Sequence, residues 1–561
     1  MMKKWIAGLL MVAAVAVHGE KTPNILFVLV DDQRNDSLGC AGHPIIKTPN
    51  IDRLANQGAR FENMFVNTSI CMASRATILT GVSQRSHGFR PGDPQGSIPV
   101  CAAFLENSFP ARLRDNGYHT GYFGKIHATF DGGKDAYSRM FDEWEKLGRN
   151  PYFKKMPDGS TRHTDEIMGD KSVEFLENRP KDKPFFLNMN FNISHAEDKD
   201  HRPGIGHFPW PRAEDGMYED ITPPRPRLDD PAIFENLPGF LKTSTNRNRY
   251  HWRWDTPEKY TVNMRALYRM ITGMDRIVGR VLAELEKQGV ADNTIVIYTA
   301  DNGYYMGDRG LAGKWSHFEQ SLRVPLIIYD PRMPAERRGQ LLQPMASNLD
   351  ISATILEFAG LPAPASYQGR SLQPVLNGHV PADWRTSVFC EHHQLGSIPA
   401  WAGIRDERYV YARYDRQEPP YEFLHDLQRD PDQLINLVNQ PEYKAVLERF
   451  RGETDGAIEQ YTVPETVAAL EKSRQSGDSR KQRPGSKKVK APKGASAKAK
   501  AADGKPNGYA PFAHRDKDKD GKLSYDEFIV KPERDTEKMK AMFDRKDTNQ
   551  DGYLTAEDSV K

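Results

Sequence analysis

The sequence predicts an α/β protein: a large sheet flanked by helices, then a smaller α+β subdomain with an antiparallel sheet, then a helical pair at the C-terminal end. Three observations predict it. Apolar runs at Asn24–Val30, 118–123, 185–191 and 294–299 each end in a polar, ionisable cluster, as strands do in an open sheet whose site lies along one edge. Helical patterns alternate with these runs. From 386 to 427 the pattern changes to short aromatic alternations, the signal of small antiparallel strands.

Taken in order, Asn24–Val30 is continuous and branched, as buried parallel strands are, and it ends in Asp31-Asp32. A helix is predicted over 49–59, with Pro49 near its start, and a second over 100–116, closed by Gly117. The strand at 118–123 leads to Gly124-Lys125-Ile126-His127. A helix over 165–178 precedes the strand at 185–191, which ends in Asn192-Ile193-Ser194-His195. Residues 196–257 are rich in Pro, Arg, His and Trp without a sustained period, and read as a rim or lid over a site. The longest helical pattern, 257–288, stops at Gly289. The strand at 294–299 then ends in Asp301-Asn302-Gly303, and 324–329 reads as one more strand.

A length of 561 residues implies several domains. The net charge of +2 hides an asymmetry: residues 474–505 alone carry nine more positive than negative charges, leaving −7 on the rest, so a basic nucleic-acid binder is unsupported. After about residue 470 the Lys, Ala, Ser, Gly and Pro content predicts a disordered tether, with contact to an anionic polysaccharide as the alternative. Met1-Met2-Lys3-Lys4, an apolar run from Trp5 to Val17 and Gly19-Glu20 read as a secretory signal peptide, too short for a comfortable membrane span. The expectation is export to the periplasm or extracellular space, with no transmembrane segment. Four cysteines, Cys40, Cys71, Cys101 and Cys390, exclude a disulfide scaffold.

The stretch Cys71-Met72-Ala73-Ser74-Arg75-Ala76-Thr77-Ile78-Leu79-Thr80-Gly81 carries the chemistry. A thiol opening a plausible helix, with a guanidinium one turn on, feels the positive helix end and a fixed cation. That environment suits a nucleophile or an anionic substrate. It also fits a half-buried structural cysteine with Arg75 at the surface.

Cys71-Met72-Ala73-Ser74-Arg75 with Leu79-Thr80-Gly81 resembles the signature of type I sulfatases of the alkaline-phosphatase superfamily, with Ala73 where the usual form has Pro. The matching landmarks run from Asn24 to Val438. The resemblance implies an alkaline-phosphatase-like mixed sheet with a catalytic domain (20–380) and a C-terminal subdomain (381–470); the terminal patterns add a signal peptide (1–19), a basic linker (471–508) and a pair of loops resembling an EF-hand domain (509–561). It implies that a formylglycine-generating or sulfatase-maturating enzyme oxidises Cys71 to formylglycine, and that Asp31, Asp32, Cys71, Asp301 and Asn302 hold a calcium ion. Arg75 and Lys125 match the cations that orient nucleophile and sulfate, His127 the base that releases sulfate, and His195 with Lys314 the pair that binds sulfate and protonates the leaving oxygen. His317 is a weaker match, and Glu319 and Arg323 look structural. The hydrated aldehyde would attack sulfur with one hydroxyl and expel sulfate with the other, where an ordinary alcohol would stall as its sulfate ester.

His87, Arg90, Asp198, Lys199, His201, Arg202, Trp252, Trp254 and Tyr304 are the candidates for contacts with an anionic sugar. In the tail, Asp516, Asp518, Asp520, Lys522, Ser524 and Glu527, with Gly521 at the sixth position, fit a calcium-binding loop. Asp547, Asn549, Asp551, Tyr553, Thr555 and Asp558 repeat it 31 residues later, and the shorter acid at the twelfth position predicts a weaker site. The expected activity is hydrolysis of sulfate esters on a sulfated glycan. The alternatives are a phosphonate or phosphate ester hydrolase of the same superfamily and a non-catalytic glycan- or calcium-binding protein in which Cys71 stays a thiol.

Overall fold

The computed structural model describes residues 21–91, 97–198, 200, 207–393, 395–464, 466, 523–524 and 553–554. The chain divides into two units, Met1–Arg483 and Pro484–Lys561.

In the first unit the main sheet is built, in chain order, from β1 (Asn24–Val30), β2 (Ala59–Phe61), β3 (His119–Gly124), β4 (Glu143–Lys146), β5 (Phe185–Asn190), β6 (Thr294–Ala300), β7 (Leu326–Tyr329) and β8 (Gln340–Leu342). Across the sheet the order is β8-β2-β7-β6-β1-β5-β3-β4, and β7 is the one antiparallel strand. Every residue of β1, β5 and β6 is buried, which is why these runs are apolar without alternation.

Helices α1 (Pro49–Gln57), α2 (Cys71–Thr80), α3 (Thr164–Asn178), α4 (Thr245–Arg253) and α5 (Pro257–Lys287) surround it. Helix α5 starts where the Thr256 side chain accepts a hydrogen bond from the Lys259 N–H and Pro257 occupies the first helical position. The single helix expected over 100–116 is instead a short turn, Ala102–Phe104, followed by a helix at Phe109–Asp115. Ser108 resets the helix start, and Pro110, which would break a helix interior, fits its first turn. The segment expected to lack elements holds α4 and two shorter helices, Pro231–Glu235 and Gly239–Lys242.

The smaller sheet is the antiparallel meander β9 (Ser387–His392), β10 (Trp401–Asp406), β11 (Tyr409–Tyr414) and β12 (Tyr421–Asp426). Helix α6 (Lys444–Tyr461) covers it, burying Leu447 and Phe450 against Ile404, Tyr411 and Leu424. The meander joins the catalytic part through Trp401, whose indole N–H donates to the Trp315 carbonyl at 2.7 Å, and through His317 Nδ1, 2.9 Å from the Tyr414 hydroxyl. His317 is fully buried among rings, Glu319 pairs with Arg405 and Arg323 with Glu62, so all three hold the fold together.

Among the described residues no helix is long and apolar enough to cross a membrane. All four cysteines are unpaired. In the second unit, Leu523–Ser524 pairs antiparallel with Tyr553–Leu554. The expected signal peptide and basic linker lie outside the described residues, as do Lys199, His201, Arg202, Asp516, Asp518, Asp520, Lys522, Glu527, Asp547, Asn549, Asp551, Thr555 and Asp558.

Candidate active site

Adjacent strands bring the acids together. β1 and β6 run parallel with Val30 beside Ala300, so the residues that follow, Asp31-Asp32 and Asp301-Asn302, emerge side by side although about 270 positions separate them. Asp32 takes a positive φ of 52°, a conformation that a short polar side chain tolerates, and its N–H faces Asp301 Oδ1 at 3.3 Å. On the other flank β5 and β3 pair with Gly124 beside Asn190, and the chain then turns into Lys125. A Cβ at Gly124 would lie 2.0 Å from the Asn190 carbonyl oxygen, so only glycine permits this turn.

Cys71 is the first residue of α2, where backbone N–H groups have no helical partner and the helix end is positive. One turn on, Arg75 is 1 % exposed and its guanidinium reaches across the sheet. It donates to Asp301 Oδ2 at 2.7 Å, Asn190 Oδ1 at 3.1 Å and the carbonyls of Phe191 (3.3 Å) and Lys125 (3.4 Å). A lysine cannot reproduce this fork. Arg75→Lys is expected to lose about 3–5 kcal/mol of stability in chemical denaturation, because buried acceptors would be left unpaired.

The two lysines close the constellation: Lys125 pairs with Asp31 and Lys314 with Asp32, all four side chains buried. Asn302 donates to Asp32 Oδ1 at 2.7 Å. His127 Nδ1 lies 3.4 Å from Cys71 Sγ. His195 Nδ1 is bonded to the Ala196 carbonyl at 2.7 Å, which leaves Nε2 facing Asp32 Oδ2 at 3.6 Å.

Burial alone would raise Asp31, but Lys125, Lys314 and Arg75 outweigh it and hold this carboxyl well below the usual range. Burial, with Asp31's charge added, pushes Asp301 up to about 6. Asp32 is raised by burial and again by Asp31, against the pull of Lys314. Burial and the neighbouring cations drive His127 and His195 well below the ordinary histidine value, so both imidazoles start neutral. Burial also raises the Cys71 thiol, which as a thiol would be a weak nucleophile at neutral pH.

Three buried acceptors, Asp31 Oδ1, Asp32 Oδ2 and Asn302 Oδ1, have no hydrogen-bond donor. Such orphans are costly unless something else satisfies them. Ligand atoms of Asp31, Cys71 and Asp301 lie within 4.8 Å of one another. The oxygens of Asp31, Asp32, Asp301 and Asn302 are hard donors of the kind a calcium ion takes, whereas the Cys71 sulfur is not.

The sulfatase family profile matches residues 23–361, and that of the N-sulphoglucosamine sulphohydrolase C-terminal region matches 307–460. The chain belongs to the sulfatase family. A relative, the N-acetylglucosamine-6-O-sulfatase of Bacteroides thetaiotaomicron, is 29 % identical over 498 residues, covering 75 % of this chain and 84 % of its own. A structure solved with its substrate D-glucosamine-2-N,6-O-disulfate is 27 % identical, with a TM-score of 0.63 over 79 % of this chain and 98 % of that one. The phosphonate monoester hydrolase of Agrobacterium radiobacter shares the fold at 23 % identity, with a TM-score of 0.64 over 80 % of this chain and 97 % of its own. The protein is a sulfatase enzyme of α/β architecture with a C-terminal antiparallel subdomain.

The sugar-contact candidates fare differently. His87 is fully buried, with Nδ1 accepting from the Phe89 N–H and Nε2 beside the Thr77 hydroxyl, so it has no face to offer a ligand. Trp254 is 3 % exposed and packs on Phe208 and Tyr260, a core position rather than a rim. The structure places both in the packed core. Arg90 and Trp252 are partly buried, and Arg253 lies 5.7 Å from the Trp252 ring. Tyr304 is buried and accepts from Arg253 at 3.2 Å. Sequence reasoning missed Asn190, Arg149 and Arg249. Asn190 lies inside the strand predicted over 185–191 and ends the observed one, whereas Arg149 follows β4, whose short Glu-Trp-Glu-Lys sequence gives no strand signal.

Proposed function

We propose that this sulfatase hydrolyses sulfate esters of sulfated amino-sugar glycans, using a formylglycine formed from Cys71 and a calcium ion held by Asp31, Asp32, Asp301, Asn302 and residue 71. The observation that carries this reading is the convergence of Cys71, Asp31 and Asp301 within 4.8 Å, beside three acceptors without donors. When bound, calcium would supply positive charge to the sulfate oxygens, and hydrated formylglycine would supply a nucleophile that the raised Cys71 thiol does not.

The rest is the work of this chain's own side chains. Lys125, Lys314 and Arg75 surround the place where sulfate charge develops, in a dry site where their attraction is strong. Neutral His127, beside residue 71, is placed to take a proton there. Lys314, which keeps its proton, and His195 both face Asp32; we assign Lys314 to holding charge and His195, once protonated, to delivering the proton to the departing oxygen. An incoming anion raises the histidine's proton affinity, so substrate binding and protonation are linked.

His195→Ala is expected to lower kcat on a sugar sulfate by about 10²–10⁴-fold. With 4-nitrophenyl sulfate, whose leaving group needs no proton, the loss should stay below about tenfold. Equal losses on both would remove His195 from the proton path.

The glucosamine sulfates named for the relative and the solved structure above support the substrate class. Sulfate release from a panel of sulfated glucosamine mono- and oligosaccharides, run beside aryl phosphate and phosphonate esters, tests it. Because the fold is shared with a phosphonate monoester hydrolase, faster turnover of the phosphorus esters would favour that reading. For the tail we propose a calcium-binding EF-hand pair. The register Leu523–Leu554 supports this, since it sets the eighth positions of the two loops opposite one another. The signal-peptide-like pattern read from residues 1–19 of the sequence supports an exported enzyme.

A further inference from the structure

Beyond the sulfate-binding core lies a second concentration of positive charge. Arg149, Arg249 and Arg253 come from two separate segments, the loop after β4 and helix α4, and converge on Asp198. Arg249 Nη2 donates to Asp198 Oδ2 at 2.7 Å, Arg253 pairs with Asp198 Oδ1, and Arg149 Nη2 lies 3.8 Å from Oδ2. Among the described residues, the ion pairs of all three arginines run to this one carboxylate. Among the described ion pairs, three guanidinium groups share this one acid in a largely buried place, so Asp198 alone does not balance them and an added anion would be favourable there.

The three are not equivalent. Arg253 has a side chain 0 % exposed and is braced by Tyr304, so it is the buried support. Arg149 and Arg249 keep 12 % and 13 % of their side chains exposed, enough for a ligand to touch.

Both exposed arginines are tied to the reacting end of the site. Arg149 Nε donates at 3.3 Å to the Ala196 carbonyl, the same oxygen that fixes His195 Nδ1. Its charge is felt by Asp31, His127 and His195. Arg249 lies 4.8 Å from the centre of the Trp315 ring, and the Lys314 ammonium lies 5.9 Å from that centre. Trp315 itself has a positive φ of 80°, a strained conformation for a bulky residue that fixes where its ring stands. Helix α4 is held over this point by Asn246, which donates to the Lys314 carbonyl at 2.8 Å. The arginine cluster is thus one aromatic ring, or one shared carbonyl, away from the sulfate-handling residues.

We propose that Arg149 and Arg249, braced by Asp198 and Arg253, form a receptor for a second anionic substituent of the substrate, a sulfate or carboxylate next to the ester being cleaved. This rests on the sulfate-ester reading above and narrows it: the preferred substrate carries two negative groups, one cleaved and one held. Guanidinium groups suit either group, because each binds a planar or tetrahedral oxyanion through paired N–H bonds.

The test compares kcat/KM for three substrates cleaved at the same position: a glucosamine 6-sulfate, the same sugar with an added N-sulfate, and a 6-sulfated disaccharide bearing a uronate carboxylate. The wild type should prefer at least one doubly anionic substrate over the monosulfate, and which one identifies the held group. Arg249→Ala and Arg149→Ala should each collapse that preference about 10- to 100-fold, Arg249→Lys should restore part of it, and rising salt should weaken it in the wild type. No preference in the wild type, or a preference that survives both alanine variants, overturns the receptor. Should a variant misfold, the wild-type preference and its salt dependence decide alone. Failure of the wild type to release sulfate from any of the three, with phosphorus esters cleaved instead, would overturn the sulfate-ester reading rather than the receptor.

Discussion

Cys71→Ala is expected to abolish turnover of sulfate esters, by about four to six orders of magnitude, as loss of a nucleophile does elsewhere. The side chain is small and 5 % exposed, and among the described residues its hydrogen-bond-range contact is the 3.4 Å approach of His127, so the fold should survive. Lys125, Lys314, Arg75 and the acids remain in place, and binding of a sulfated ligand should stay measurable by calorimetry. Cys71→Ser sharpens the expectation. A serine can take the sulfate once but has no second hydroxyl with which to expel it, so rapid-quench kinetics should show at most one alcohol released per site and then arrest. Steady multiple turnover by the serine variant would mean that an ordinary alcohol or water does the chemistry.

Removal of calcium should be nearly as damaging. Without calcium the site holds three buried carboxylates, and Asp31 Oδ1, Asp32 Oδ2 and Asn302 Oδ1 have no hydrogen-bond donor. Chelation is expected to lower kcat/KM by at least about 10³-fold, reversed by calcium. A ligand that binds only the folded state at about a thousand times its Kd adds about 4 kcal/mol of stability, so Tm should rise with calcium. Because the tail carries its own candidate calcium loops, the informative comparison is Asp31→Asn against wild type, with the tail intact in both. The variant should lose the activity and only the part of the Tm shift that belongs to the catalytic unit.

The pH dependence follows from Asp301, whose carboxyl burial pushes up to about 6. The ionised form binds the cation and the protonated form does not. Calcium affinity is therefore expected to fall as pH drops below about 6, about tenfold per unit for this one proton, and protonation of Asp32, which is also raised, adds to the loss. Calcium titrations followed by activity at several pH values check the sign.

Much of this architecture was legible in the chain. β1, β5 and β6 are buried on both faces, and continuous apolar runs report such strands directly. Their polar endings, Asp31-Asp32, Asn192 to His195 and Asp301-Asn302, marked one edge of the sheet. What the sequence hides is whatever depends on tertiary placement. His87 and Trp254 look like sugar contacts by residue type, yet both fill space in the core. Arg149 and Arg249 look like ordinary surface cations until folding gathers them on Asp198. Helix α6 went unforeseen because it is mostly polar, and only Leu447, Phe450 and Thr454 are buried. The 100–116 pattern was misread as one helix because apolar spacing says nothing of the restart at Ser108-Phe109-Pro110.

The account rests on what residue 71 becomes. Peptide mass spectrometry of protein produced with a formylglycine-generating enzyme, on a preparation shown to release sulfate, tests that most directly. The account predicts the mass of an aldehyde in place of the thiol at Cys71, in a fraction that scales with specific activity. An intact thiol throughout a fully active preparation would contradict it.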